Sequence, residues 1–451
     1  MPKTVKSFVS GLSSLFAAML LLIAAPIMEP VSGTAVAQIT VLHSFSGPDG
    51  ESPIGELVLG QDGSLFGTTI FGGEFGRGTV YRLMPPEPGR KRWRHKLLHS
   101  FSGPDGADPQ SEVIWGPDGA LFGTTTFGGA FGQGTVYQLM PPEPGRKRWR
   151  HKLLHSFSGA DGATPIASLV LDADGSLYGA TSGGGDLFVD TVFRLKPKGQ
   201  AATADTRATY AFRKMFDFNG TNGEWPAAPP TPVGDGTFLV TAFRGGKNNT
   251  GTLVHLQLRP NGNAFRGKVV HHFPQKKGAH PHAAPVPVPP VSAAQKTRGA
   301  GVSRSSGQSE WIIPASSGGK NDAGSLNLFI LDSGGGWIVD NIFDHVPEQS
   351  GARPLSRVTF MPDRRVLVTS YDGGVTNSTY PTGRGTVNVL RFTQNGKLRV
   401  DIAELLSGDN GAKPWGAVVP LGFGITVVAG QTQRGGVEDK GVVYIYEFAG
   451  P

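Results

Sequence analysis

Seven Gly-x-x-Pro turns punctuate the chain, and the residues before their glycines are Asp49, Asp105, Asp161, Asn222, Lys277, Ser350 and Asn410. Carboxylates and amides set in a ring could hold Ca²⁺ through oxygen ligands or bond the hydroxyls of a sugar. Asp49, Asp105, Asp161, Asn222 and Asn410 are therefore the candidate ligand-binding set. The same side chains also serve the turn, because Asp and Asn tolerate left-handed backbone and bond their own main chain. No Asp-x-Asp-x-Asp spacing marks a calcium loop. The turn role is expected to prevail, and no cofactor is expected.

A second column reads His43, His99, His155, Phe216, His271, Asp344 and Glu404. Histidines in a ring invite a metal, but one position per blade converges only at the axis. Phe216 fills the same place without a ring nitrogen, so packing is the expected role and no metal site is assigned. His271, His272, His280 and His282 form one local cluster, which carries no catalytic motif.

The sharpest local feature is a duplicated basic stretch, Arg90 to Lys96 and Arg146 to Lys152, with five positive charges in each copy. These account for more than the whole net charge of +7, so the basicity is local. Period two places Trp93, His95, Leu97, His99 and Phe101 on one face of an extended strand, with Arg90, Arg92, Arg94 and Lys96 on the other. Arg146, Arg148, Arg150 and Lys152 repeat the pattern. Charged outer strands repel edge-to-edge pairing. As a functional surface, the same charges would suit an anionic polymer. Nucleic acid is not an expected partner of an exported chain.

Other chemistry is thinly represented. There is no Gly-x-Ser-x-Gly, His-Glu-x-x-His, P-loop or dinucleotide fingerprint. The absence of cysteine excludes disulfides, thiolate catalysis and thiolate zinc sites. Paired carboxylates for glycoside cleavage could be assembled from many loops, at separations that sequence does not reveal.

The elements that must position these residues follow from repetition. Leu42 opens a unit that recurs at Leu98 and Leu154, and the prolines Pro53, Pro109, Pro165, Pro226, Pro281, Pro354 and Pro414 extend the register to seven. Eight residues before each proline stands an apolar side chain: Phe45, Phe101, Phe157, Phe218, Phe273, Val346 and Leu406. Units begin near 42, 98, 154, 215, 270, 343 and 403, with a Pro- and Ala-rich insertion at 283–306 in the fifth. Each holds about four strands. The expected fold is all-β: a single seven-bladed β-propeller of four-stranded antiparallel blades over 38–451, its ring closed by the N-terminal strand Ile39 to Phe45. Two smaller propellers or an open solenoid are the alternatives. Ligands are expected on the face where the Gly-x-x-Pro and Gly-Gly loops meet the central channel, an analogy from fold.

The run LHSFSGADGATPIASLVLDADGSLYGATSGGG…TVFRL, Leu154 to Leu195, resembles the GloVer-type tandem repeat of exported bacterial proteins, the choice-of-anchor repeat. The resemblance is close in units one to three and rests on turn glycines, prolines and strand spacing in the others. It implies an exported β-repeat protein and supplies no catalytic residues. Members commonly carry an anchoring tail, and its absence here points to a soluble periplasmic or secreted form.

The N-terminus agrees with export. Lys3 and Lys6 precede an apolar stretch from Leu12 to Ala25, and Ala35-Val36-Ala37 offers the small residues of a cleavage site, so 1–37 reads as a signal peptide. An N-terminal membrane anchor is the alternative, and no transmembrane segment is expected in the mature chain. The functional expectation is a monomeric, non-enzymatic binding or scaffold protein of the cell envelope, contacting a polysaccharide or protein partner. The alternatives are a carbohydrate-active hydrolase or lyase using the channel face, and a lactonase-like propeller with an axial metal.

Overall fold

The computed structural model describes residues 38–184, 190–198, 209–234, 236–290, 309–332, 334–373, 383–393, 395–421 and 427–447. Residues 1–37, the expected signal peptide, and most of the fifth-unit insertion lie outside these residues. Seven four-stranded antiparallel sheets form the blades of a propeller. Blade one runs from an inner strand at Val58–Leu59 through Leu65–Thr69 and Thr79–Met84 to an outer strand at Arg94–Ser100. The last blade takes its outer strand from the other end of the chain. Gln38–Ser44 pairs antiparallel with Val442–Glu447, which closes the ring as expected.

Closure is repeated near the axis. Thr68 Oγ1 donates to Ser111 O at 2.8 Å and Thr124 Oγ1 to Ala167 O at 3.1 Å, each tying a second strand to the inner segment of the next blade. Thr369 does the same to Gly416 O at 3.1 Å. In blade seven the donor is Gln431, whose amide reaches Gly55 O and whose carbonyl accepts from Tyr81. Ring closure is thus bonded at both radii.

The hydrophobic core is a set of slabs between blades. Phe45, Leu57, Leu65 and Val443 fill the seam between blades seven and one. Phe66, Phe101, Leu121 and Tyr137 fill the next, and equivalent clusters pack the other five seams. Each blade therefore buries both faces against neighbours, as radial repetition requires.

A glycine precedes the third strand in six of the seven units for a steric reason. A Cβ on Gly251 would lie 2.5 Å from Cδ of Pro281 and 2.6 Å from Ala242 O, and the backbone there has φ +100. Gly78, Gly134, Gly324, Gly385 and Gly441 face the next blade's proline in the same way. The turn proline and this glycine form one joint between blades. The joint between blades three and four is different, because Asp190 of the third unit stands in the glycine's place and its carboxylate accepts the backbone N–H of Trp225.

Three sequence expectations need correction. In the sixth unit the apolar column falls on His345, not Val346. His345 is fully buried and its N–H bonds Gly324 O, as Phe101 N–H bonds Gly78 O. One extra residue before Gly351 causes the shift, so Phe343, not Asp344, belongs to the histidine column and packs edge-on to His345 at 4.9 Å. In the outer strand, strict alternation fails at a β-bulge: His99 pairs with Val80 and Leu97 with Tyr81. Leu98 is consequently buried, 8% exposed, while Leu97 is 38% exposed. In the fifth unit, Val286–Pro287, counted within the insertion, is the inner strand and pairs with Ile312 and Trp311.

Candidate functional site

The residue before each turn proline has a left-handed backbone although none is glycine: Ser52, Asp108, Thr164, Trp225, His280, Arg353 and Lys413, with φ from 48 to 60. A non-glycine residue in this region is strained by roughly 1–2 kcal/mol. The strain is held by bonds on both sides. In six units the residue's N–H bonds a carbonyl of the preceding blade at 2.7–2.9 Å, and in all seven its carbonyl accepts from the second strand's loop at 3.0–3.2 Å. Seven side chains of different chemistry are thereby fixed on the channel face.

On the side of blades four to seven these residues carry a continuous aromatic arc. Arg244 lies 5.2 Å over the Trp225 ring, and Trp225 meets Phe243 at 5.5 Å. Phe243 contacts His280 at 4.9 Å and His282 at 5.9 Å, and His282 meets Trp415 at 5.5 Å. Trp415 meets Tyr371 at 5.4 Å, with Arg353 and Lys413 over the Tyr371 ring at 5.2 and 5.0 Å. A cavity of about 800 Å³ opens among Trp225, Phe243, Arg244, His282, Arg353 and Trp415. Arg353 and Lys413 share the carboxylate of Asp372 at 3.1 and 2.6 Å. Burial lowers His282 to about 4, and burial followed by the Arg244 charge lowers His280, so both rings are neutral at pH 7.

The opposite rim carries exposed phenyl rings. Phe71 and Phe75 of blade one, and Phe127 and Phe131 of blade two, stand 44–61% exposed on the Gly-Gly loops. Glu51 bridges Phe71 and Ala107 bridges Phe127, which holds these loops to the Gly-x-x-Pro turns on one face.

Below the mouth the axis narrows to a cavity of about 100 Å³ lined by Glu56, Glu112, Ser168 and Arg357. Arg357 donates to Glu56 at 2.6 Å across the channel. Burial raises the Glu56 carboxyl and the Arg357 guanidinium pulls it back, while the Glu112 carboxylate adds to the rise. The result lies above the usual carboxylate range.

The five candidate turn residues sit outside both cavities. Asp49 Oδ1 accepts from Ser46 N and Oγ at 2.8 and 2.9 Å, and Oδ2 pairs with His43 at 2.8 Å. Asp105 and Asp161 repeat this with His99 and His155. Asn222 accepts from Asn219 N and Asn410 from Ser407 N. Each closes its own turn. The histidine cluster divides: His280 and His282 reach the mouth, while His271 packs on Phe329 in a blade seam and His272 accepts from Lys247 N at 3.2 Å.

The basic hairpins lie on the outer edge. Arg94 pairs with Glu87 at 3.0 Å and Arg150 with Glu143 at 3.2 Å, while Trp93 and Trp149 cover seams between blades. Arg90, Arg92, Arg146 and Arg148 are exposed, and Lys96 and Lys152 are half-buried beside them. Trp225, Phe243, Tyr371, Trp415 and the loop phenylalanines were not singled out by motif. One signal was available: the residue before the turn proline changes from unit to unit while the proline stays, as in Ser52, Asp108 and Thr164.

Two overlapping stretches, residues 31–212 and 94–288, match the Gloeobacter/Verrucomicrobia repeat, and together they span more than half of the 451 residues. No curated protein matches the sequence. Among solved structures, the chain is similar to a hypothetical selenium-binding protein from Sulfolobus tokodaii, at 13% identity and TM-score 0.44 over 78% of this chain and 76% of that one. It is also similar to a polysaccharide lyase, an ulvan lyase, at 10% identity and TM-score 0.46 over 90% and 96%. An α-L-arabinanase from Penicillium chrysogenum is similar at 12% identity and TM-score 0.39 over 91% and 98%. At these values no activity is transferred. Among the described residues no helix is long and apolar enough to cross a membrane.

Proposed function

The chain belongs to the Gloeobacter/Verrucomicrobia repeat family, and we propose that it is an exported, non-enzymatic binding propeller whose channel mouth holds an acidic polysaccharide of the cell envelope. Export is supported by the basic, apolar and small-residue order of 1–37. One observation carries the ligand class: an arc of aromatic rings beside one cavity ends in a guanidinium group on either side, Arg244 over Trp225 and Arg353 over Tyr371. Sugar rings stack their C–H faces on aromatic side chains, and carboxylate or sulfate groups pair with guanidinium. Exposed Phe71, Phe75, Phe127 and Phe131 extend that apolar footing along the far rim.

The test is retention and turnover on a panel of acidic and neutral polysaccharides. Wild type should retain acidic polymers without releasing product, and the double variant Trp225→Ala, Arg353→Ala should lose at least tenfold in affinity. Equal retention of both proteins would refute the mouth as the binding site.

A hydrolase or lyase is the second reading, favoured by one feature, the raised Glu56 carboxyl beside Glu112 at the base of the mouth. A general acid needs a pKa lifted toward neutrality. Released oligosaccharide that disappears in Glu56→Gln would establish that reading over the first.

A further inference from the structure

The histidine column does not converge at the axis, yet it converges pairwise across blade seams. His43, on the outer strand of blade seven, stacks on His95 of blade one with centroids 4.5 Å apart and planes at 13°. His99 of blade one stacks on His151 of blade two at 4.6 Å and 14°. Each pair has an aspartate at its edge, Asp49 or Asp105. The donor atoms of His43, Asp49 and His95 all lie within 4.8 Å of one another, as do those of His99, Asp105 and His151.

Two observations suggest more than packing. Both carboxylates are oriented from behind by a serine, Ser46 or Ser102, through N–H and hydroxyl bonds of 2.8–2.9 Å, as metal-ligating carboxylates usually are. Finally, Nε2 of His95 and of His151 is shielded from solvent with no hydrogen-bond partner among the described residues. An orphaned ring nitrogen occurring twice, beside an oriented carboxylate and a second imidazole, calls for an explanation.

We propose that His43/Asp49/His95 and His99/Asp105/His151 are two sites for a divalent transition-metal ion, such as Zn²⁺, which clips blade seven to blade one and blade one to blade two. Two imidazoles and one carboxylate match the nitrogen and oxygen donors such ions take, with water completing the coordination. Ligation requires the two imidazoles to turn out of their stack, so that the in-plane lone pairs of both Nε2 atoms meet the ion; the His43 or His99 proton then resides on Nδ1, and the ion replaces the hydrogen bond now made to the aspartate. The first site lies on the seam that closes the ring, where a cross-link opposes release of the N-terminal strand.

The third seam is a built-in control. There His155 pairs with Asp161 at 2.8 Å, but its stacking partner is Phe212, at 3.8 Å and 5°. A phenyl ring is thus accepted in place of the second histidine, and this seam has two ligands instead of three.

The experiment is calorimetric titration of the untagged full-length protein with ZnCl₂, with thermal melting in parallel. Two ions should bind, and the melting temperature should rise with zinc. His95→Phe and His151→Phe, which copy the third seam, should each reduce the stoichiometry to one, and the double variant should bind none. Should either variant fail to fold, Asp49→Asn and Asp105→Asn replace them with the same expected counts. No binding by wild type would overturn the proposal. Undiminished binding by the double variants would equally overturn it and assign the ion to other histidines.

Discussion

The two sides of the channel mouth share a frame and differ in what it carries. Blades one and two present Ser52 and Asp108 with exposed Phe71 and Phe127, whereas blades four to seven present Trp225, His280, Arg353 and Lys413 behind a closed aromatic arc. The backbone beneath is the same on both sides, a left-handed residue before a proline, bonded to the neighbouring blade. The difference separates two kinds of residue. Glycine and proline at the joint build the ring, and the side chain between them is free to carry function at the expense of local strain.

The largest effect should come from the joint. Gly251→Ala forces a Cβ against Pro281 at a position with φ +100, and should destabilise by about 3 kcal/mol, read from the urea midpoint. A neutral result would mean that proline and glycine are not the joint between blades.

Acid should loosen the seams next. His345 is fully buried, and burial lowers its pKa from 6.5 to about 4. The folded state holds the neutral ring, so below pH 6.5 the unfolded chain binds a proton that the folded chain refuses, and stability falls until pH reaches about 4. His345→Phe, the side chain that five other units use here, should remove roughly 2–3 kcal/mol of that loss. Melting followed from pH 7 to pH 4 checks this. An unchanged profile would mean that His345 does not contribute to the acid loss.

At the mouth, stability and binding should move in opposite directions. Trp225→Gly relieves a φ of 60 and should stabilise by up to about 1 kcal/mol, while polysaccharide affinity falls at least tenfold. A loss of both would make Trp225 part of the frame.

The smallest effect is expected at the outer edge. Changing Arg90, Arg92, Arg94, Arg146, Arg148 and Arg150 to Ser removes exposed ion pairs to Glu87 and Glu143, and should shift stability by less than about 1 kcal/mol. Polysaccharide retention in 0.15 M salt should persist. Salt-sensitive binding lost in this variant would move the site from the mouth to the hairpins.

The ring was legible because its determinants are local and rigid. A turn proline, a strand-opening glycine and a buried Phe101-type side chain recur at offsets that tolerate little change. Where one residue is added, before Gly351, the ruler slips and assigns Val346 and Asp344 to columns that His345 and Phe343 occupy. The bulge at Leu98 escaped for a related reason, since alternation says nothing about which residue a ladder skips. The mouth was less legible still. Trp225, Phe243, Tyr371 and Trp415 come from different blades at unremarkable spacings, and only the closed ring brings them together. The pairing of His43 with His95 likewise needs the ring, because those residues belong to blades at opposite ends of the chain order.

Hydroxyl-radical footprinting of the protein, with and without an acidic polysaccharide that it retains, tests the central claim most directly. Protection of Trp225, Tyr371, Trp415 and Phe127, with Trp93 and Trp149 unchanged, is the predicted result. Protection confined to Trp93 and Trp149 would contradict it and place the ligand on the outer hairpins.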